Sequence, residues 1–133
     1  MERRFKFNTV GLFTVNQPAM VAFYRDVMGF ETDWNGATNV DMTHGDMRLI
    51  MYPREEFEKM VSKGFEYPKG LNGTIELAFD VDNYAAVDVE YDRCVALGAK
   101  SVFPPTTMPW GQRTCYIADP DGNLIEISSF NVG

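Results

Sequence analysis

The chain has 133 residues, 45% of them hydrophobic and 23% charged, which argues against disorder and predicts a single domain with a real core. The net charge of −7, with no basic run, argues against binding to nucleic acid or to an anionic membrane. No stretch approaches the ~20 apolar residues of a membrane span, and the spacing of the two cysteines fits neither a zinc site nor a redox pair. These features predict a cytoplasmic protein with buried, reduced thiols.

The first half of the chain predicts a strand, a helix and three more strands. Alternating apolar side chains favour the first strand, and Asn16 is placed to cap the helix, which Gly29 ends. The predicted elements are strands at 5–15, 30–35, 37–43 and 47–52, a helix at 18–28, a short amphipathic helix at 54–63 and a linker at 65–73.

The second half repeats this order. The predicted elements are a strand at 74–82, a helix at 84–97, and strands at 100–103, 112–118 and 124–129. The chain is therefore predicted to be α+β, with two βαβββ modules forming curved mixed sheets around a cleft. Module one spans about 4–53, a connecting helix and linker span 54–73, and module two spans 74–130.

The most informative segment is the predicted hairpin at 110–127, WGQRTCYIADPDGNLIEI. Its second strand is apolar except for Glu126, and burying an ionised carboxylate is expensive unless the group is exposed, paired or bound to a ligand. Glu76 interrupts another apolar strand in the same way. If the two repeats superpose, both glutamates face one cleft, where they share a proton, bind a cation or pair with an arginine.

Other residues are candidates for a ligand site. Arg113 either forms a salt bridge with one of the glutamates or clamps an anionic ligand. Trp110 and Trp34 lie beside loops and serve either as pocket walls or as loop packing. Met51 fills the core or lines a site for a flat apolar ligand. The single histidine, His44, is predicted to be a solvated turn residue.

Three segments resemble the vicinal oxygen chelate superfamily of glyoxalase I, bleomycin-resistance proteins and extradiol dioxygenases. They are Thr9–Leu12 (TVGL), 23–30 (FYRDVMGF) and 110–126, which includes DPDGNLIE. The resemblance extends over residues 6–129. It implies paired βαβββ modules, usually in a homodimer.

The resemblance also implies up to four metal-ligand positions. Here they are occupied by Thr9, Met51 (with Ile50 as the alternative register), Glu76 and Glu126. Only the two glutamates are strong ligands, and one histidine per chain is too few for a two-histidine, one-carboxylate iron site. The expected cofactor is therefore none or a weakly bound divalent metal.

Three functions remain open at this stage. The first is a glyoxalase- or bleomycin-resistance-like protein that binds a small aromatic or cationic molecule in a cleft. The second is a divalent-metal-dependent lyase or isomerase that uses Glu76 and Glu126, with Glu126 the best catalytic candidate. The third is a non-catalytic ligand-sensing or interaction module.

Overall fold

The computed structural model describes residues 2–133, and their contacts form two compact units that divide between Phe65 and Glu66. The secondary structure is mixed α+β with two mixed sheets, which confirms the predicted fold class. The elements are β1 (Thr9–Thr14), α1 (Gln17–Ala22, followed by a π-helical turn, Phe23–Val27), β2 (Val40–His44), β3 (Met47–Pro53), α2 (Arg54–Val61), β4 (Asn72–Asp80), α3 (Tyr84–Ala96), β5 (Lys100–Thr107), β6 (Arg113–Ala118) and β7 (Asn123–Ser129).

The first unit contains a sheet in the order β1-β3-β2, with β1 parallel and β2 antiparallel to β3. Asn16 caps α1 as predicted, since its side chain accepts the N–H of Ala19 at 3.3 Å. Alternation along the strands buries one face of the sheet. The buried residues of this unit include Met20, Val21, Tyr24, Val40, Met42, Leu49 and Met51.

The strand predicted at 30–35 is wrong. This segment makes only an isolated bridge between Glu31 and Thr43. Thr32 donates its hydroxyl to the carbonyl of Asp41 at 2.8 Å, and the indole N–H of Trp34 donates to the carbonyl of Ala37 at 2.8 Å. These hydrogen bonds between side chains and backbone hold the segment in a loop and take the place of the backbone hydrogen bonds of a strand.

The second unit contains a sheet in the order β4-β7-β6-β5, with β4 parallel to β7 and the other pairs antiparallel. Asn83 caps α3 by accepting the N–H of Ala86 at 2.9 Å. The buried apolar side chains on α3 and on the two central strands are Val87, Cys94, Cys115, Ile117, Ala118, Ile125 and Ile127. Both cysteines are free, and burial raises the pKa of the Cys115 thiol to about 12.

The pairing registers define how the two repeats correspond. Thr9 pairs with Arg48 in the first unit, as Glu76 pairs with Leu124 in the second. Counting on from these pairs, Ile50 is the counterpart of Glu126. The alternative register, with Ile50 at the position of Glu126, is therefore the right one. The alignment of Met51 with Glu126 is wrong by one residue, and Met51 points to the opposite face of the sheet.

The turn of the final hairpin is organised by Asp119, which is 4% exposed. Its carboxylate accepts the N–H groups of Asp121 and Asn123 at 2.9 and 3.0 Å and the side-chain amide of Asn123 at 2.9 Å. Asn123 in turn accepts a hydrogen bond from Asn72 at 3.1 Å, which ties the turn to β4. Gly122 has φ +92°, and a Cβ there would lie 2.2 Å from the carbonyl oxygen of Gly70.

No helix within residues 2–133 is long and apolar enough to cross a membrane.

Replacing Asp119 by alanine leaves three donors of the turn without their acceptor. We expect Asp119→Ala to lower the free energy of unfolding by about 3 kcal/mol, measured by urea denaturation. Asp46→Ala, at the exposed turn between β2 and β3, is the control and is expected to change it by less than about 0.5 kcal/mol. Equal losses in both variants would contradict the role given to Asp119.

Candidate functional site

The candidate site lies on the open face of the sheet in the second unit. Alternation along β7 buries Ile125 and Ile127 on one face and places Glu126, between them, on the other. Tyr116 is opposite Glu126 on β6, and Glu76 lies on β4, which pairs with the other side of β7. The structure thus brings Glu76 and Glu126 together on neighbouring strands of one sheet.

Three donors from one segment hold the carboxylate of Glu126. Its Oε2 accepts the hydroxyl of Thr114 at 2.6 Å, the phenol of Tyr116 at 3.2 Å and the side-chain amide of Gln112 at 3.3 Å. Residues 112, 114 and 116 share one face because their spacing is two, and that face is the one on which Glu126 lies. These bonds offset the cost of a half-buried carboxylate in an apolar strand.

The phenol of Tyr116 connects the two glutamates. Its oxygen lies 3.2 Å from Oε2 of Glu126 and 3.5 Å from Oε1 of Glu76, but it has only one proton to donate. Burial and the two neighbouring carboxylates raise the pKa of Tyr116 to about 12, so the phenol remains a donor at neutral pH.

The proximity of the two carboxyl groups affects Glu76. Desolvation, the charge of Glu126 and a hydrogen bond with Glu126 raise the pKa of Glu76, and its hydrogen bond from Tyr116 only partly opposes the increase. The ionised state of the pair is therefore destabilised, and a proton or a bound cation relieves it.

Arg113 does not neutralise this pair. Its guanidinium donates to the two carboxylate oxygens of Asp88 on α3 at 2.7 and 2.8 Å, and to the hydroxyl of Thr107 at 2.9 Å. This bidentate pairing lowers the pKa of Asp88 and raises that of Arg113. Within residues 2–133, no lysine, arginine or histidine forms an ion pair with Glu76 or Glu126.

Trp110 lies at the end of a short chain of hydrogen bonds to the carboxylates. Its indole N–H donates to Oε1 of Gln112 at 2.9 Å, and the amide of Gln112 donates to Glu126. The Trp110 side chain is 63% exposed, so most of it can contact a ligand. Phe103 adds a second ring near the site, with its centroid 6.4 Å from that of Tyr116.

The remaining predicted site residues belong to the first unit. Trp34 is half-buried in the loop before β2, and Met51 is 2% exposed within the core. Ile50, the counterpart of Glu126, is 37% exposed on the open face of its sheet.

Sequence reasoning missed Gln112 and Thr114 as partners of Glu126 and left the orientation of Tyr116 open. The available signal was the spacing of two between these residues, but that spacing does not tell which face of a strand is open.

The side chains at the four positions that the family resemblance implies offer few ligand atoms for a transition metal. Thr9 offers a hydroxyl and Ile50 offers no ligand atom, while one oxygen of Glu126 already accepts three hydrogen bonds. Within residues 2–133, no group of three or more His, Cys, Asp or Glu side chains is placed to hold a metal ion. Zinc and iron sites generally use three or four strong ligands, so this donor set does not fit such a metal.

Comparisons with known proteins identify the family. The model of the Glyoxalase/Bleomycin resistance protein/Dioxygenase superfamily matches residues 6–127. The uncharacterized protein YraH of Bacillus subtilis (strain 168) is 31% identical over 114 residues, which are 80% of this chain and 84% of YraH.

Solved structures show the same fold. A glyoxalase/bleomycin resistance protein/dioxygenase family enzyme from Burkholderia phytofirmans PsJN is 27% identical, with a TM-score of 0.79 over 95% of this chain and 98% of that one. A lactoylglutathione lyase from Agrobacterium tumefaciens is 24% identical, with a TM-score of 0.73 over 96% of this chain and 95% of that one. The chain therefore belongs to the glyoxalase/bleomycin resistance protein/dioxygenase superfamily.

Proposed function

We propose that this protein binds a small organic cation that carries an aromatic group, at the open face of the β4-β7-β6-β5 sheet. The observation that supports the proposal most strongly is a pair of neighbouring carboxylates, Glu76 and Glu126, without a basic partner within residues 2–133. Arg113, which is the arginine nearest to Glu126 in the sequence, pairs with Asp88 and also donates to Thr107.

The electrostatics of the pair favour an ammonium or a similar cation. The raised pKa of Glu76 means that an added proton stabilises the carboxylate pair, and a bound cation can take the place of that proton. The three donors to Glu126 all bond to Oε2, so Oε1 is left to face the positive charge of a ligand.

Aromatic side chains beside the carboxylates suit a ligand with a ring. Trp110 is exposed and Tyr116 is half-exposed, and both are tied by hydrogen bonds to the same carboxylate network. The face of an indole or phenol ring attracts a cation, which adds to the effect of the carboxylates. The predicted ligand is thus a protonated alkylamine or a quaternary ammonium ion that carries an aromatic ring.

Binding of such a cation should depend on both glutamates. We expect calorimetric titration with benzyltrimethylammonium to show saturable binding, and Glu76→Gln and Glu126→Gln each to weaken it about tenfold. Glu66→Gln removes the same charge from an exposed loop and should change the dissociation constant by less than about twofold.

Two results would overturn this proposal. The first is that benzyl alcohol, which has the ring but no charge, binds as tightly as benzyltrimethylammonium. The other is the absence of heat from a panel of aromatic cations, combined with stoichiometric binding of Mn²⁺ that Glu126→Gln abolishes. That second pattern would favour the metal-dependent lyase.

The raised pKa of Glu76 also predicts a pH-dependent stability. The folded state binds the proton of Glu76 more tightly than the unfolded state does, so this proton stabilises the folded protein. The stabilisation is complete below the ordinary pKa of 4.5, and it is lost as the pH rises through the raised pKa of the folded state. Glu76→Gln cannot ionise, and we expect it to raise the melting temperature by about 1–2 °C at pH 7.5 and to have no effect at pH 3.5. An equal gain at both pH values would show that ionisation is not the cause.

We further propose a homodimer, supported by the family and by apolar side chains on exposed strand positions. Ile75 is 47% exposed, Phe13 40% and Ile50 37%, and exposed apolar groups of this kind are frequent at protein interfaces. Light scattering after size exclusion should give twice the chain mass of 15.1 kDa. A mass of 15.1 kDa that does not depend on concentration would contradict the dimer.

A further inference from the structure

The chain contains two Asn-Gly pairs, and they lie in different surroundings. Asn35 and Gly36 are in the loop before β2, whereas Asn72 and Gly73 begin β4. Because glycine lacks a Cβ, its backbone nitrogen is open to approach by the side-chain amide carbon of the asparagine before it. An Asn-Gly pair is therefore the place in a chain where an asparagine cyclises with the least steric hindrance.

Hydrogen bonds hold Asn72 in one orientation. Its backbone N–H donates to the carbonyl of Gly122 at 2.7 Å, and its side-chain amide donates to Oδ1 of Asn123 at 3.1 Å. Its own Oδ1 accepts the N–H and the hydroxyl of Thr74 at 3.1 and 2.5 Å. Both ends of the side-chain amide are engaged, so rotation of this group would break several hydrogen bonds at once.

The side-chain amide of Asn35 has no such restraint. Asn35 and Gly36 are both exposed, and within residues 2–133 no hydrogen bond joins the Asn35 side chain to another residue. Gly36 has φ +102°, and a Cβ there would meet nothing within 4 Å. The loop is held on both sides of the pair, since Trp34 donates its N–H to the hydroxyl of Thr32 at 3.1 Å and its indole N–H to the carbonyl of Ala37 at 2.8 Å.

We propose that Asn35 is a site of spontaneous deamidation in the folded protein and that Asn72 is protected from the same reaction. The backbone nitrogen of Gly36 forms a bond to Cγ of Asn35, the bond from Cγ to the side-chain nitrogen breaks, and ammonia leaves with the proton of the backbone N–H. The product is a five-membered succinimide. Water then adds to one of the two carbonyl carbons and opens the ring, which gives aspartate or isoaspartate at position 35. The reaction consumes only water and needs no oxidant or cofactor.

Deamidation at Asn35 changes the surroundings of Trp34. The hydrogen bond from the indole of Trp34 to Ala37 spans the reacting pair, and isoaspartate adds a methylene group to the main chain within this span. Either product also places a carboxylate two residues from Asp33, which is exposed. The lost hydrogen bond and the repulsion between like charges both favour release of the indole into water. This chemistry needs no ligand and does not depend on the proposed cation binding.

Peptide mapping by mass spectrometry, after incubation of the folded protein at mildly alkaline pH, tests the site. The two asparagines fall in separate tryptic peptides, 26–48 and 70–93, and fragmentation assigns the modified residue within each. We expect Asn35 to convert at least about tenfold faster than Asn72, because Asn72 must first lose its hydrogen bonds. In guanidinium chloride, where the folded contacts are absent, the two asparagines should convert at similar rates.

The emission of Trp34 provides a second measurement, made in a Trp110→Phe background. We expect it to shift to longer wavelength as Asn35 converts. Asn35→Gln keeps an amide at this position but would have to close a larger ring, so it is the matched control and its emission should not change during the incubation.

Equal rates of conversion at the two asparagines of the folded protein would overturn the proposal. So would conversion at Asn72 alone, or no conversion at Asn35. An emission shift of the same size in Asn35→Gln would overturn the effect assigned to Trp34.

Discussion

The carboxylate of Glu126, held within an apolar strand, is the constraint on which the candidate site depends. The sheet can accommodate it because Thr114, Tyr116 and Gln112 present donors from the adjoining strand and loop at 2.6 to 3.3 Å. Those donors satisfy one oxygen but bring no positive charge. The site is therefore well supplied with hydrogen bonds and poorly neutralised, a combination that favours a cationic ligand.

The two units share one strand pairing but carry different side chains on the open face of the sheet. In the first unit Ile50 occupies the position of Glu126, with Gly11 and Asp41 beside it on the neighbouring strands. In the second unit the corresponding neighbours of Glu126 are Ala78 and Tyr116. The open face of the first unit thus carries an isoleucine beside the ion pair of Arg48 with Asp41, and that of the second unit carries two carboxylates and a phenol.

Much of the fold follows from local patterns in the sequence. The final hairpin, the cap at Asn16 and the order of strands and helices depend on nearby residues, and the repeat made the proximity of Glu76 and Glu126 predictable. The segment 30–35 was mispredicted because the side-chain bonds of Thr32 and Trp34 outweigh its strand propensity. The partner of Arg113 could not be predicted from the sequence either, because Asp88 lies 25 residues away on a helix and is brought close only by tertiary packing.

Glu76 and Glu126 form a carboxylate pair without a neutralising partner among residues 2–133, and the whole proposal depends on this pair. The most direct measurement is a ¹³C NMR pH titration of the side-chain carboxyl carbons, with and without benzyltrimethylammonium. We expect the pKa of Glu76 to lie above the ordinary glutamate value of 4.5 in the free protein and to fall when the organic cation binds. A pKa of Glu76 that lies at the ordinary value and does not respond to the cation would contradict it.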